Sequence, residues 1–464
     1  LSLISMLFLS LFCTMAESVR VQAARFQAAA AFDMGLFSIF GEYDRVLLEE
    51  YDLWFLDGSS EEQKIREVLE TKLEKYIQPN INPRYNLAAG RSWDVFPTEL
   101  DRCTVDKYAL ATDHGGQVFY SQAVENQKEL FVGEAASALK KNIKQMEEGH
   151  QKGEEYQNEE QKADEEYQRA QAAQMEEKKR QESEKENAEK QEESDTDIKE
   201  TEAVQAKVEN PLDQIKKIKS MGILGLVLKD GTVVSDKTIE RKDLPSERNL
   251  QKGSLLVDEI SADPVSEAIF LNYLQKHFQC AVDEGGKHQK GSKEHSLSYE
   301  LEYIIGGQKS DRENLKKTVN RILLIREGMN YATLAKSAKM RGEAMALAAA
   351  ITGAAALPEF AGALQKLLML AWAYGESLLD VRTLLAKGKV PMLKAETEWK
   401  LPLEKLGMLA EVLKECDAGG GNGQSYEDYL SGLLILGKKQ QRNLRVLDLI
   451  ECNRRMEKGG ETFR

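Results

Sequence analysis

The sequence predicts a mainly α protein with a small β element (α+β), in which a long N-terminal membrane helix continues into a helical globular domain. Three observations carry this. The chain opens with LSLISMLFLSLFCTMA, sixteen residues without a charge, and runs on without Pro or Gly as far as Gly35. Helical patterning dominates from Asp263 onward. One stretch, LGLVLKDGTVVS at 224–235, runs Val and Leu into Asp230-Gly231 and leaves through Val233-Val234, the pattern of a tight hairpin.

A bilayer crossing takes about 20 apolar residues and a secretory h-region only about 7 to 15. Residues 1–16, opening without an initiator Met, fit a membrane helix that lacks its first few residues. The competing readings are a signal peptide ending after Ala16, a lipoprotein signal at Cys13 opposed by bulky Phe12, and a buried core helix. The continuation favours the anchor. Ala23, Ala24, Phe26, Ala28, Ala30, Ala31 and Met34 keep the stretch helical past its first charges. Glu17 and Arg20, three apart, can pair on one helix face. Arg20 and Arg25 pull the other way, favouring a cytoplasmic body by the positive-inside rule.

With 464 residues there is room for two or three domains. The acidity is local: residues 147–200 hold 20 Asp or Glu against 9 Lys or Arg, most of a whole-chain net charge of −14. No basic domain exists, so nucleic-acid binding has no electrostatic footing and is not expected. Five scattered cysteines, never as CxxC, read as buried thiols rather than a disulfide framework.

Residues 17–135 form the helix continuation and the first part of the body. Aromatic and leucine-rich 36–55 leads to a loop at 57–60 that caps a helix over 61–76. Pro79, Pro83 and Pro97 then break regularity, and DHGG at 113–116 reads as a turn between short strands. Residues 136–210 are a charged, low-complexity insertion, an exposed helix or a disordered segment, because the large apolar a and d residues of a coiled coil are missing. Residues 211–458 are the second part of the body. Within them 264–282 and 311–336 are helices, the latter capped by Ser310 or Asp311. Residues 345–374 are too interrupted by Pro358, Glu359, Gln365 and Lys366 to span a bilayer and read as a buried helical hairpin, with Ala344 and Ala348 allowing close packing.

No catalytic, cofactor or metal set emerges. Gly432-LLIL-Gly437-Lys438 fits the phosphate-loop pattern, but Lys439 replaces the Ser or Thr and four aliphatics suit a helix end. His277 and Cys280 have helical i, i+3 spacing that could begin a zinc site, yet His288 and His295 lie in a Gly/Lys loop without apolar support. Glu300, Glu302, Glu376 and Asp380 sit on apolar segments, with Arg326 and Arg382 as ion-pair partners; a structural network outweighs a catalytic dyad.

The segments ESVRVQAARFQAAAAFDMGLFSIFGEYDRVLLEEYDLWFLDG, SYELEYIIGGQKSDRENL, RILLIREGMNY, LAWAYGESLLDVRTLLAKGKVP and SYEDYL together resemble an uncharacterised family, a domain of unknown function, of single-pass membrane proteins from anaerobic Firmicutes. The matching positions are Glu17 to Arg20, Tyr51 to Asp57, Tyr299 to Ile304 and Asp380 to Arg382, over roughly 1–135 and 211–458. The resemblance implies association with Tad-type (Flp) pilus systems, a minor-pilin-like N-terminus, protein partners in that assembly and an extracytoplasmic body. It implies no catalytic residues. The acidic residue of true pilins lies a few positions into the apolar helix, whereas Glu17 follows it.

The expectation is a non-enzymatic, membrane-anchored component of a pilus-like system, without cofactor. Glu17, Arg20, Tyr43, Tyr51, Trp54 and Phe55 are the candidate structural and interaction residues, the aromatics placed to dock the long helix on the body. The alternatives are a membrane-tethered enzyme using the acids near Glu376 and Asp380, and a cytoplasmic charged-helix adaptor.

Overall fold

The computed structural model describes residues 2–56, 65–81, 85–86, 92–93, 98–128, 133–189, 210–255, 263–283, 295–354, 360–416 and 420–457. The first helix, α1 (Ser2–Phe40), is unbroken and 39 residues long, and it is long and apolar enough to cross a membrane. Its first half is exposed on every side, Leu3, Leu7, Phe8 and Phe12 included. Its second half is not. Ala31, Gly35 and Ile39, four apart and therefore on one face, are buried against α3 (Ile65–Ile81), which contributes Leu73, Ile77 and Ile81 to a small separate apolar cluster. Gly35 lets the helices touch, since a Cβ there would lie 2.5 Å from Ile77 Cγ1. Gln27 donates to the terminal carbonyl of Ile81 at 2.9 Å, satisfying one of the acceptors that a helix end leaves open. The expected cap of this helix at 57–60 lies outside the described residues.

Between α1 and the body, residues 43–56 close on themselves around α2 (Arg45–Tyr51). Asp44 caps α2 through the Val46 and Leu47 amides, and its own amide donates to Phe55 O. Left-handed His114, Gly115 and Gly116 then lead into α4 (Asp113–Lys128). The turn expected at 113–116 is present, but a helix follows it where short strands were expected.

The main core is built on three mutually packed helices: α5 (Gly133–Glu189), α10 (Asp311–Lys336) and α12 (Ala361–Leu385). The rest surround them: α6 (Pro211–Ser220), α7 (Ile223–Val227), α8 (Pro264–His277), α9 (Glu300–Gly306), α11 (Ala338–Ala354), α13 (Leu409–Glu415), α14 (Tyr426–Leu436) and α15 (Lys439–Glu457). The helical hairpin expected around 345–374 is found as α11 and α12, with Ala344 and Ala348 fully buried. Helix α10 begins as expected, capped by Ser310.

Two expectations fail. The charged stretch 136–210 is not a detachable insertion over its first thirty residues. Asn142, Met146, Gly149, Gly153 and Tyr156 are buried at alternating spacings of four and three, with Ala163 seven residues on, a seam of period 3.5 that completes the core. Its two glycines lie where the backbones meet. A Cβ on Gly153 would lie 2.7 Å from Leu324 O, and one on Gly328 would lie 2.3 Å from Lys152 C. Beyond Ala163 the side chains described, as far as residue 180, are mostly exposed, and 190–209 lie outside the described residues.

The hairpin at 224–235 is also absent. Residues 223–227 are α7, burying Leu226 and Val227, and Arg382 of α12 donates to the carbonyls of Leu226 and Leu228 at 3.2 and 2.7 Å. The Asp230-Gly231 turn forms, with φ +85° at Gly231, but Val233 beyond it is 90% exposed. Among the described residues the only strand ladder pairs Tyr85–Asn86 with Ser92–Trp93, two residues a side, so the small β element is not supported.

Gly328→Leu forces a side chain into the α5 backbone, where nothing can yield, and should cost about 3 kcal/mol or more, the upper end for overpacking. Gly342→Ala, facing open space, should be neutral or stabilise by up to about 1 kcal/mol. Urea unfolding of both variants checks the difference.

Candidate functional site: a buried ionic cluster between two core helices

Helix α10 turns a charged face to solvent and buries the other against the apolar α12, and their contact holds a group of buried polar side chains. Arg326, Asn330, Glu376, Ser377 and Asp380 are fully buried, and Lys394 is 5% exposed. Arg326 and Asn330 are four apart on α10; Glu376 and Asp380 are four apart on α12. Each pair therefore sits on one helix face, aimed at the other. Arg326 Nη2 and Nε donate to Asp380 Oδ2 at 2.8 and 3.0 Å, and Asn330 Nδ2 donates to the same oxygen at 2.9 Å. Lys394 reaches in from the following loop, 2.5 Å from Asp380 Oδ1 and in contact with Glu376 Oε1.

Two acids meet two cations, so no net charge is buried. Burial by itself raises the pKa of a carboxyl. At Asp380 it is outweighed by Arg326 and Lys394, which hold that group below its usual range. At Glu376 burial prevails, reinforced by repulsion from Asp380 against the pull of Lys394, and the pKa is raised.

The spare bonding capacity goes to one irregular segment. Arg326 Nη1 donates to Pro391 O and Met392 O at 2.9 and 2.8 Å. Glu376 accepts the amides of Lys400 and Leu401, at 3.0 and 2.8 Å, and Trp372 Nε1 donates to Leu401 O at 2.7 Å. The segment 391–401, whose regular structure is a single 3-10 turn at Glu396–Glu398, needs partners for the rest of its backbone, and the cluster supplies them. Glu300 and Glu302 act alike. Glu300 accepts the Gln279 amide, Asn453 Nδ2 and a contact from His295, while Glu302 accepts the Ala281 amide and the Tyr426 hydroxyl. Sequence reasoning found Glu376, Asp380 and Arg326 but assigned Arg382 to an acid, whereas it serves carbonyls. It missed Lys394, Asn330 and Tyr429, whose hydroxyl accepts from Arg326 at 3.2 Å. Asn330, four residues after Arg326 on one helix face, was the readable signal.

The remaining sequence candidates lie at the junction with α1. Glu17 and Arg20 pair at 3.8 Å, both 61% exposed. Tyr43 and Trp54 meet ring to ring at 5.1 Å, and Trp54 exchanges backbone bonds with the Gln122 side chain of α4. Phe55 is half-buried, whereas Tyr51 is buried against Phe278 and accepts from Asn453 Nδ2 at 3.0 Å. His277 turns to Glu50 O and Asp52, not to Cys280. Cys280, Asp283 and Glu427 bring ligand atoms within 4.8 Å of one another, but burial pushes the Cys280 thiol well up, away from the thiolate a metal needs. All five cysteines are unpaired.

Asp380→Ala strands Arg326 and Lys394 and should cost about 3–5 kcal/mol, while Arg326→Met with Asp380→Leu should cost less than the single change. Chemical unfolding of the three proteins tests this order. Two other buried acids make stability depend on pH. Burial raises Glu302 to about 7, and burial with Glu160 nearby raises Glu327 to about 8 against the pull of Lys219. Between about pH 4.5 and 8 the folded chain keeps protons that the unfolded chain has released, so these groups lower stability as pH rises. Glu327→Gln should raise the urea midpoint at pH 8.5 and leave it unchanged at pH 4.5.

No curated protein and no solved structure matches the chain. Residues 201–464 do match a family, and that span contains α6 to α15 and every member of the ionic cluster. The chain belongs to a family of unknown function, DUF5702.

Proposed function

We propose that the protein is a non-enzymatic, membrane-anchored envelope protein, a structural or assembly component of a Tad/Flp-type pilus-like system, with a single membrane pass and an extracytoplasmic body. The observation that carries this reading is the continuity of α1. Its 39 residues extend about 58 Å, enough to cross roughly 30 Å of hydrocarbon and still lie along the body. The half that would cross is apolar and exposed all round; the half that would emerge is docked on α3 through Ala31, Gly35 and Ile39. A helix that runs unbroken from an apolar half into a docked half suits a part that links a membrane to partners beside it. The pilus assignment itself rests on the resemblance of the N-terminal and YELEYI segments.

An enzymatic role for Glu376 and Asp380 has little support, since neither is exposed and both are committed to cations or amides. Arg20 and Arg25, beside the apolar run, favour the second reading, a cytoplasmic body. Alkaline carbonate washing of membranes from the native host, with protease treatment of intact protoplasts, separates the two. Retention of the chain with digestion of its body is the expected result. A retained chain with a protected body places it in the cytoplasm and ends the pilus reading.

A further inference from the structure

The ends of α9 and α14, the first turns of α10 and the start of α15 enclose a cavity of about 490 Å³. Its charged lining is entirely cationic apart from His150: Lys317, Arg321, Lys438, Arg442 and Arg445, with no carboxylate among the described residues. In a chain of net charge −14 this is a local inversion. Arg442 is neutralised outside the cavity by Glu267 at 2.8 Å. The other four form no ion pair with a described residue. Lys317 donates to Gly306 O at 2.8 Å, and Arg445 Nη1 donates to Ile304 O and Ile305 O at 2.9 and 3.0 Å, bonds that hold the heads in place without cancelling their charge. Asp448, outside the lining, offsets part of the Arg445 charge at a distance but forms no ion pair with it, its oxygens bonding the Ser246 amide and the Tyr303 hydroxyl. Arg321 and Lys438 make no ion pair with a described residue, and the buried Arg445 Nε has no acceptor.

The site is built around that guanidinium. Gly307, left-handed at φ +61°, stands where any Cβ would lie 2.4 Å from Arg445 Cζ. The cations also strain one another. Burial first, and then the neighbouring arginines, push Lys317 and Arg445 below their ordinary pKa values. An anion in the cavity would relieve this.

We propose that this cavity binds a phosphate-bearing ligand, its phosphoryl oxygens held between Arg321, Lys438 and Arg445 and its apolar part laid against Ile304, Ile305 and Leu433. Four cations without an ion pair call for a multiply charged acceptor. A carboxylate brings one charge, whereas a phosphate monoester brings nearly two and three strong acceptor oxygens, matching the guanidinium fork. The mixed apolar and cationic wall, of a size usual for small-ligand pockets, fits an ester rather than a bare ion. The binding mode is not that of a phosphate loop. Residues 432–436 are helix, so their amides are spent within it, and Lys438 is the one residue of that pattern that brings a charge to the cavity. The source of the phosphate is a soluble ester or a lipid headgroup.

The test uses the full chain in nanodiscs of neutral lipid, titrated calorimetrically with phenyl phosphate and with dihexanoyl phosphatidic acid. The variant is Arg321→Ala with Lys438→Ala, two exposed side chains whose loss should leave the thermal midpoint unchanged. At least one probe should bind, more weakly in high salt, and about tenfold or more weaker to the variant, as expected for two lost charge-assisted bonds. Phenyl phosphate binding alone identifies a soluble ester, phosphatidic acid alone a lipid headgroup, and both together the phosphate monoester itself as the determinant. No binding of either probe, or equal affinity in the double variant, overturns the proposal.

Discussion

A guanidinium with no route to water constrains everything around it. Arg326 lies at the centre of α10, fully buried, and cannot shed its charge as a lysine or carboxyl can. It must have a counter-ion and acceptors for the rest of its fork, and these must arrive from several directions in fixed geometry. Asp380 brings α12, Asn330 and Tyr429 bring α10 itself and α14, and Pro391 and Met392 bring the loop between α12 and α13. The ionic cluster is therefore less a source of stability than a specification. Two apolar helix faces could slide past one another at small cost, but not with this set of partners to keep in register. Replacing such a cluster with apolar side chains is often nearly neutral, whereas removing one member is not.

The same core rests on a second constraint of the opposite kind, the absence of side chains. Gly149 and Gly153 on α5 meet Ile325, Leu324 and Gly328 on α10 at distances no Cβ could share. Close approach lets Tyr156 cross over and donate to Leu370 O of α12 at 3.1 Å, so α5 closes the three-helix core. The match to DUF5702 begins at residue 201, beyond the end of α5, yet the core it describes is completed by this helix.

Much of the architecture was legible because burial writes a simple pattern. The unbroken α1, the Ser310-capped α10 and the α11–α12 pair all follow from apolar residues at helical spacing and from breakers between them. The buried acids were legible because carboxylates rarely stand on apolar segments without a partner. Two features were not. In 142–163 the buried positions are Asn, Met, Gly, Gly, Tyr and Ala, a seam of period 3.5 whose members are mostly too small or too polar to register as hydrophobic. In 224–235 the local pattern did specify extended chain and a turn. The turn formed, but Arg382, 150 residues away, claimed the carbonyls of Leu226 and Leu228 and the apolar residues were buried as a single helical turn.

The sequence by itself determined that this is a helical protein with one long apolar N-terminal helix, an acidic stretch confined to 147–200, and charged groups buried in its second half. These follow from composition and period, which each segment carries alone. Tertiary structure alone decided which cation answers which acid, that Lys394 rather than Arg382 joins Asp380, that a charged helix fills the core, and that Lys317, Arg321, Lys438 and Arg445 face one another across a cavity. Each of those facts depends on distances between residues far apart in the chain. Electrostatic and backbone partners are chosen by such distances, and local spacing does not contain them.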